Sequence, residues 1–395
     1  MKKALFILCL CFFAVDAMAQ DSLRIGFFRD VKATRVYLEA HEGNYMVRAD
    51  SFDLFYLREW GRLELVATEG MICIEPQPDS TCCYSKVNLI ALEPESAFSV
   101  DVKNNKTLGR KYKGNYEATA EEKRFVKSVN HVHMDDYLVG VVESESGYSQ
   151  NVEYYKVQAI ISRTYALKNI DKHMNEGFNL NDLVTCQVYH GKYRKIPNII
   201  TGVEQTSGMV LVDDEMKLIT ASYYSNSGGY TANSEDVWNL ALPYLRSKYD
   251  PYSVGQNSYS WKKTIPKKEF LDELEKRFKF PVSNPDAVQK ALNFKQPTRK
   301  AFFVERSYGI PLTEVRYAFK LRSTYFDVIV SGENVTLQGK GFGHAVGLSQ
   351  EGAMNMSKKG FTHRQILEFY YPTTTLLDSY LLHFFNWQNQ FVFEN

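Results

Sequence analysis

The sequence predicts an α+β fold, with a strand-rich N-terminal part leading into a mixed α/β core built around a buried helix. Three observations carry this. Short alternating apolar runs fill residues 23–126, the apolar spacing switches to a helical period at Met134, and residues 152–170 are apolar on more than one face. With 395 residues, 44% hydrophobic and 14% aromatic, the chain has the material for a sizeable core, which excludes a disordered or fibrous class.

The N-terminus reads Met1-Lys2-Lys3, an apolar run over 4–15, then Ala17-Met18-Ala19 before Gln20, the pattern of a secretory signal peptide over 1–19. That run is too short to span a bilayer, and no later stretch is long and apolar enough. The mature chain is therefore expected outside the cytoplasm, periplasmic or extracellular, without a membrane span. Cys9 and Cys11 fall within the run, leaving Cys73, Cys82, Cys83 and Cys186. An oxidising compartment permits a disulfide. Pro76, Pro78, Asp79 and Ser80 read as a turn that would bring Cys73 to either Cys82 or Cys83, with Cys186 left free.

Runs such as Arg24-Ile25-Gly26-Phe27-Phe28 and Arg35-Val36-Tyr37-Leu38 read as strands, broken by turn residues such as Glu42-Gly43-Asn44. Met134, Leu138, Val141 and Val142 fall at helical spacing, with Asp135 and Asp136 in the first turn, where the helix dipole favours acids. The helix over 152–170 follows. Strands are expected at 208–212 and 218–224, then a loop on Gly228-Gly229 and a charged helix at 267–279. Glycines at 339, 341, 343 and 347 precede a helical stretch that ends at Gly360. Thr362 and Gln365 form a capping-box pattern for a last helix that Pro372 stops. The expected division is a signal peptide (1–19), a strand-rich part (20–126), a core (127–376) with a helical insert at about 263–300, and a C-terminal extension (377–395).

The net charge of +1 argues against nucleic acid as a partner and is compatible with an uncharged polysaccharide. Extending the line Met134, Leu138, Val141 by four residues reaches Glu145, at or just beyond a helix C-terminus. Burial and the negative helix end would both raise the pKa of an acid there, as a general acid requires. Spacing alone favours a solvated glutamate in a connecting loop. Glu143 is expected on another side of the helix, at the surface. The stretch from Gly339 to Gly347 fits neither phosphate-loop pattern. His344 within it either touches substrate, orients the acid, or is a satisfied core histidine. His131, His133 and Asp135 alternate as on one strand face, and Cys186 and His190 have a helix-like spacing, but each set falls short of four metal ligands. No metal or cofactor is expected. No Gly-x-Ser-x-Gly elbow is present. Tyr189, Tyr223, Tyr224, Trp238 and Tyr244 could stack on sugar rings or fill a core.

Several motifs together resemble the stage II sporulation protein D family, which includes amidase-enhancer proteins. They are Asp135-Asp136-Tyr137-Leu138-Val139-Gly140-Val141-Val142-Glu143-Ser144-Glu145, the helix Lys156 to Ala166, Gln187-Val188-Tyr189-His190-Gly191, Thr206-Ser207-Gly208, Tyr223-Tyr224-Ser225-Asn226-Ser227-Gly228-Gly229, Val237-Trp238 with Pro243-Tyr244-Leu245, and Gly341-Phe342-Gly343-His344-Ala345-Val346-Gly347-Leu348-Ser349-Gln350-Glu351-Gly352-Ala353 ending in Tyr370-Tyr371-Pro372. The resemblance covers about 24–372. It implies a glycan-binding cleft and a peptidoglycan lytic transglycosylase with Glu145 as catalytic acid and base. It implies substrate contacts at Arg163, Tyr165, Gln187, Tyr189, Tyr223, Ser227, Gly228, Gly229, His344, Ser349 and Gln350. Some family members prefer glycan stripped of stem peptides, so a cell-wall amidase is an implied partner. The alternative is a non-catalytic glycan-binding protein that enhances such an amidase. Glu143 stands where the family commonly has proline, Ala345 where it has glycine, and Glu351 where it has tyrosine. Certain relatives bind zinc near the position of Cys186, although the full ligand set is not apparent in this sequence.

Overall fold

The computed structural model describes residues 22–75, 83–102, 110–191 and 194–382. The expected signal peptide, Cys82 and the chain beyond 382 lie outside these residues. The described residues fall into two compact units that meet in sequence between Ser207 and Gly208. The boundary expected at 126 falls inside a continuous strand, Phe125–His133.

In the first unit a seven-stranded sheet runs in the order Leu180–Asn181, Ser22–Phe27, Phe125–His133, Asn115–Glu121, Lys86–Ala91, Tyr45–Ala49, Phe52–Leu57. A six-stranded sheet adds Arg110–Lys113, Ala97–Val102, Arg35–Glu42, Arg62–Thr68, Met71–Glu75 and Cys83–Tyr84. Alternation in sequence becomes alternation in burial: Val36, Leu38 and Ala40 point inward while their neighbours remain partly exposed. Phe27 and Tyr116 of the larger sheet pack against Tyr112 and Phe98 of the smaller, with Phe27 and Tyr112 stacked 4.7 Å apart and Phe98 and Tyr116 edge-on at 5.6 Å. Aromatic side chains thus join the two sheets. Cys73 and Cys83, directly opposite on paired strands, form the disulfide. Cys186 is a buried free thiol.

Helix α1, Met134–Ser146, starts where the His133 side chain accepts from the Asp135 amide, and ends at Gly147 with φ of +67°. Helix α2, Val152–Lys168, is capped by Asn151 and buries Tyr154, Tyr155, Val157, Ile160, Ile161 and Arg163, which explains its lack of a polar face. Helix α3, Pro197–Glu204, packs against both. The expectation that His131, His133 and Asp135 share a strand face is not met, because the strand stops at His133 and Asp135 opens α1.

In the second unit, Ser260–Pro266, Asn334–Lys340 and Phe326–Ser331 form a three-stranded antiparallel sheet with Asn334–Lys340 in the centre. Helices Lys267–Phe278, Pro285–Leu292 and Leu312–Ala318 cover it around a core that includes Trp261, Phe270, Phe303, Phe326 and Leu337. These helices take in most of the stretch expected at about 263–300 and also Leu312–Ala318. Tyr223–Tyr224 pairs in parallel with Leu348–Ser349; the remainder of the strand expected at 218–224 is irregular. Met209–Val212 pairs with Thr375–Asp378, so the C-terminal extension begins as a strand. The last helix, His363–Tyr370, carries the expected capping box. Among the described residues no helix is long and apolar enough to cross a membrane.

Candidate functional site

The apolar line of α1 is buried through Met134, Leu138 and Val141, and Glu145 follows it in the last turn, half-buried. The chain returns across this helix end. The Val188 amide donates to Oε1 of Glu145 at 2.9 Å, and the His190 amide to Oγ of Ser144 at 3.2 Å. The Ser144 hydroxyl donates in turn to the Gly140 carbonyl at 2.7 Å. Between these amides, Tyr189 turns inward and lays its ring on Gly140, where a Cβ would stand 2.6 Å from Cε2. Its hydroxyl donates to Asn130 at 3.0 Å. Gln187 also points inward, donating to the Ser162 carbonyl at 3.2 Å and the Tyr137 hydroxyl at 3.4 Å. Burial pushes the phenols of Tyr137 and Tyr154 well up, and the charge of Glu145 adds to the effect on each. Both stay neutral hydroxyls.

Glu143 is not at the surface. Its side chain is 5% exposed, with Oε1 3.3 Å from Nε of Arg194 and Oε2 accepting from the Arg194 amide at 3.4 Å. A carboxylate is tolerated there because a cation and an amide from a distant loop meet it. Arg163 is buried, donating to Asp135 at 2.8 Å and the Thr206 carbonyl at 2.7 Å, which ties α2 to the start of α1. Tyr165 is partly exposed and donates to the Thr185 carbonyl at 3.3 Å. Cys186 and His190 are in irregular chain rather than a helix, and Cys186 is set beside Tyr165 and His173, with His173 Nε2 3.5 Å from Sγ. That Nε2 also faces the Asn181 amide at 3.2 Å, and Glu176 holds Nδ1 at 2.5 Å. One thiol and one imidazole do not make a zinc site, and no group of three or more candidate ligands occurs among the described residues.

The second unit gathers the other candidates. His344 is partly buried against Tyr224 and Trp238; its Nε2 donates to the Tyr223 carbonyl at 3.1 Å and Nδ1 accepts from the Val346 amide at 3.1 Å. Both nitrogens are used and burial lowers its pKa to about 4, so the ring is a neutral brace. Ser227 is fully buried: its hydroxyl donates to Asp250 at 2.8 Å and its amide to Ser349 Oγ at 3.3 Å. Gly228 and Gly229 turn with φ of +70° and +96°. Gln350 opens the helix Gln350–Lys358 and is 7% exposed. Tyr189, Tyr224 and Tyr244 belong to the core, whereas Trp238 is 41% exposed.

A family model described as Stage II sporulation protein matches residues 122–212, which take in α1, α2, α3 and the returning chain. Stage II sporulation protein D of Bacillus subtilis (strain 168) is 30% identical over 268 residues, 64% of this chain and 77% of that protein. The chain belongs to the stage II sporulation protein D family. The protein of the same name from Bacillus amyloliquefaciens is also 30% identical, over 274 residues, 64% of this chain and 77% of that one. The amidase enhancer of Bacillus subtilis is 31% identical over 293 residues, 60% of this chain and 40% of that protein. The departures from the family pattern have visible settings. Ala345 takes φ of +69°, where a glycine would be unstrained. Glu351 accepts from Asn226 at 2.7 Å and from the Ser258 amide, as a bracket between two loops. Sequence reasoning missed the Val188 amide, which no side chain announces, and Arg194; the one signal was a glutamate closing the apolar run Leu138 to Val142.

Proposed function

We propose that this family member cleaves peptidoglycan glycan strands as a lytic transglycosylase, acting on strands stripped of stem peptides. The observation that carries the reading is Glu145, half-buried at the end of α1 with one oxygen held by the Val188 amide. In this reading the Val188 amide orients the carboxyl, and the carboxyl supplies the proton. In the reaction, that proton passes to the glycosidic oxygen between N-acetylmuramic acid and N-acetylglucosamine, and the C1–O bond breaks. The carboxylate then takes the proton of the muramic C6 hydroxyl as its oxygen bonds to C1, which closes a 1,6-anhydro ring and restores the acid. No water is consumed. One positioned acid suffices, unlike the two carboxylates of ordinary glycosidases.

Likeness to the amidase enhancer favours a second reading, in which the chain binds glycan and stimulates a wall amidase without cleaving. Glu145→Gln separates the two. Release of 1,6-anhydro ends from stripped wall, read by mass, should fall at least ~10²-fold. Equal release by the variant would end the first reading; no release by either protein, with glycan binding kept, would favour the second.

A further inference from the structure

We infer that Arg194 is a specificity-determining residue that reads the free lactyl carboxylate of a muramyl unit; the identity of that ligand rests on the function proposed above. Arg194 is anchored at both ends by Glu143, whose oxygens take its amide at 3.4 Å and its Nε at 3.3 Å. The anchor is buried and the guanidinium is not: the side chain of Glu143 is 5% exposed and that of Arg194 57%. With Nε engaged, the edge that remains for a ligand is the parallel pair of N–H groups on the two Nη atoms. That edge matches a carboxylate bidentately. The guanidinium carbon lies 5.7 Å from the centroid of the Tyr148 ring, which is 65% exposed, at cation–π distance. Arg194 makes no second ion pair among the described residues.

Glu143 is two residues before Glu145 on α1, and Tyr148 three residues after it. Two residues of α-helix rise only about 3 Å while turning through roughly 200°, so the anchor and the acid share the helix end and leave it on different sides. Along a glycan strand the one carboxylate of a muramyl unit is on its lactyl ether. It is ionised when the strand is stripped and becomes an amide where a stem peptide is attached. A charged fork discriminates between these forms, because a neutral amide offers one acceptor oxygen and no charge. The arrangement also gives a use to Glu143, which stands where the family commonly has proline.

The test measures binding of muramyl glycan oligomers to protein carrying Glu145→Gln, so that turnover does not intervene. One oligomer set keeps the lactyl carboxylates; the other has them capped as methylamides. The carboxylate form should bind roughly 10–100-fold more tightly. Adding Arg194→Gln should erase that ratio, leaving the two oligomer sets bound equally. Arg194→Lys, a second variant that keeps charge without the fork, should retain salt-dependent attraction and lose most of the ratio. A ratio that survives both substitutions overturns the inference, as does failure of both oligomer sets to bind. If the protein with Glu145 intact releases no 1,6-anhydro ends yet the ratio still follows Arg194, the catalytic reading fails and the inference stands.

Discussion

The Val188 amide donates to Oε1 of Glu145 across 43 residues of sequence, and so couples the geometry of the acid to the chain that crosses the end of its helix. The neighbouring Glu143 is coupled to the same returning chain through Arg194. Sequence position alone would make Glu143→Gln a silent control for Glu145→Gln. The structure gives the opposite expectation: neutralising Glu143 weakens the grip on Arg194 and should cost about 1–3 kcal/mol in a denaturant titration. Glu153→Gln is the better control, since Glu153 pairs locally with Lys156. An unchanged midpoint for Glu143→Gln would contradict the assignment.

Arg163 is the next case. Family likeness implies a substrate contact, while the structure spends its guanidinium on Asp135 and Thr206. Removing one partner of a buried pair costs roughly 3–5 kcal/mol, so Arg163→Ala should unfold at much lower urea. A variant with wild-type stability and only a raised KM would restore the substrate role.

The Cys73–Cys83 link closes a short loop between paired strands. In the chain-entropy account a loop of this length gives about 3 kcal/mol. The double variant Cys73→Ser, Cys83→Ser should lose about that much, and peptide mapping without reductant should recover the two cysteines joined. Recovery of both as free thiols from exported protein would show that the link does not form.

His344 makes stability depend on pH in a defined direction. Burial lowers its folded pKa to about 4, below an unfolded value of about 6.5. Its contribution is therefore complete above about pH 6.5 and is lost as pH falls toward 4, at up to about 1.4 kcal/mol per unit. Asp182, raised to about 6 by burial, acts oppositely, but equally in wild type and variant. Urea midpoints of His344→Gln measured between pH 7 and 4 should fall less steeply than those of wild type. Parallel curves would mean that the ring is charged in the fold.

Much of this was legible beforehand wherever local pattern decides. The helical period from Met134 placed α1 and put Glu145 at its end, and Thr362 with Gln365 announced the last helix and its cap. What stayed hidden depends on partners far along the chain. Glu143 reads as polar and hence exposed until Arg194, 51 residues away, meets it. The three-stranded sheet around Asn334–Lys340 was missed because its core is supplied by apolar side chains scattered over 261–337 with no common period. Nothing local in His344 reveals that its two nitrogens face backbone groups at Tyr223 and Val346.

Gly140→Ala sets two effects of opposite sign against each other. In an exposed helix interior the change stabilises by up to about 1 kcal/mol, because alanine loses less backbone freedom. At this position the new Cβ would stand 2.6 Å from Cε2 of Tyr189 and 3.0 Å from Cδ2. The ring has little room to retreat: it packs 4.9 Å from Tyr137 and 5.6 Å from Tyr112, and its hydroxyl is tied to Asn130. Overpacking of a filled core costs roughly 1–3 kcal/mol, which exceeds the helical gain, so the variant should be less stable. The strain has a route to the site, since Tyr189 lies between Val188 and His190, whose amides hold Glu145 and Ser144. Pushing the ring outward lengthens those bonds and lets the Glu145 carboxylate turn, so glycan cleavage should fall by more than the loss of folded protein explains. A Gly140→Ala variant that gains stability and keeps full activity would show that the ring yields freely and that the returning chain does not position the acid.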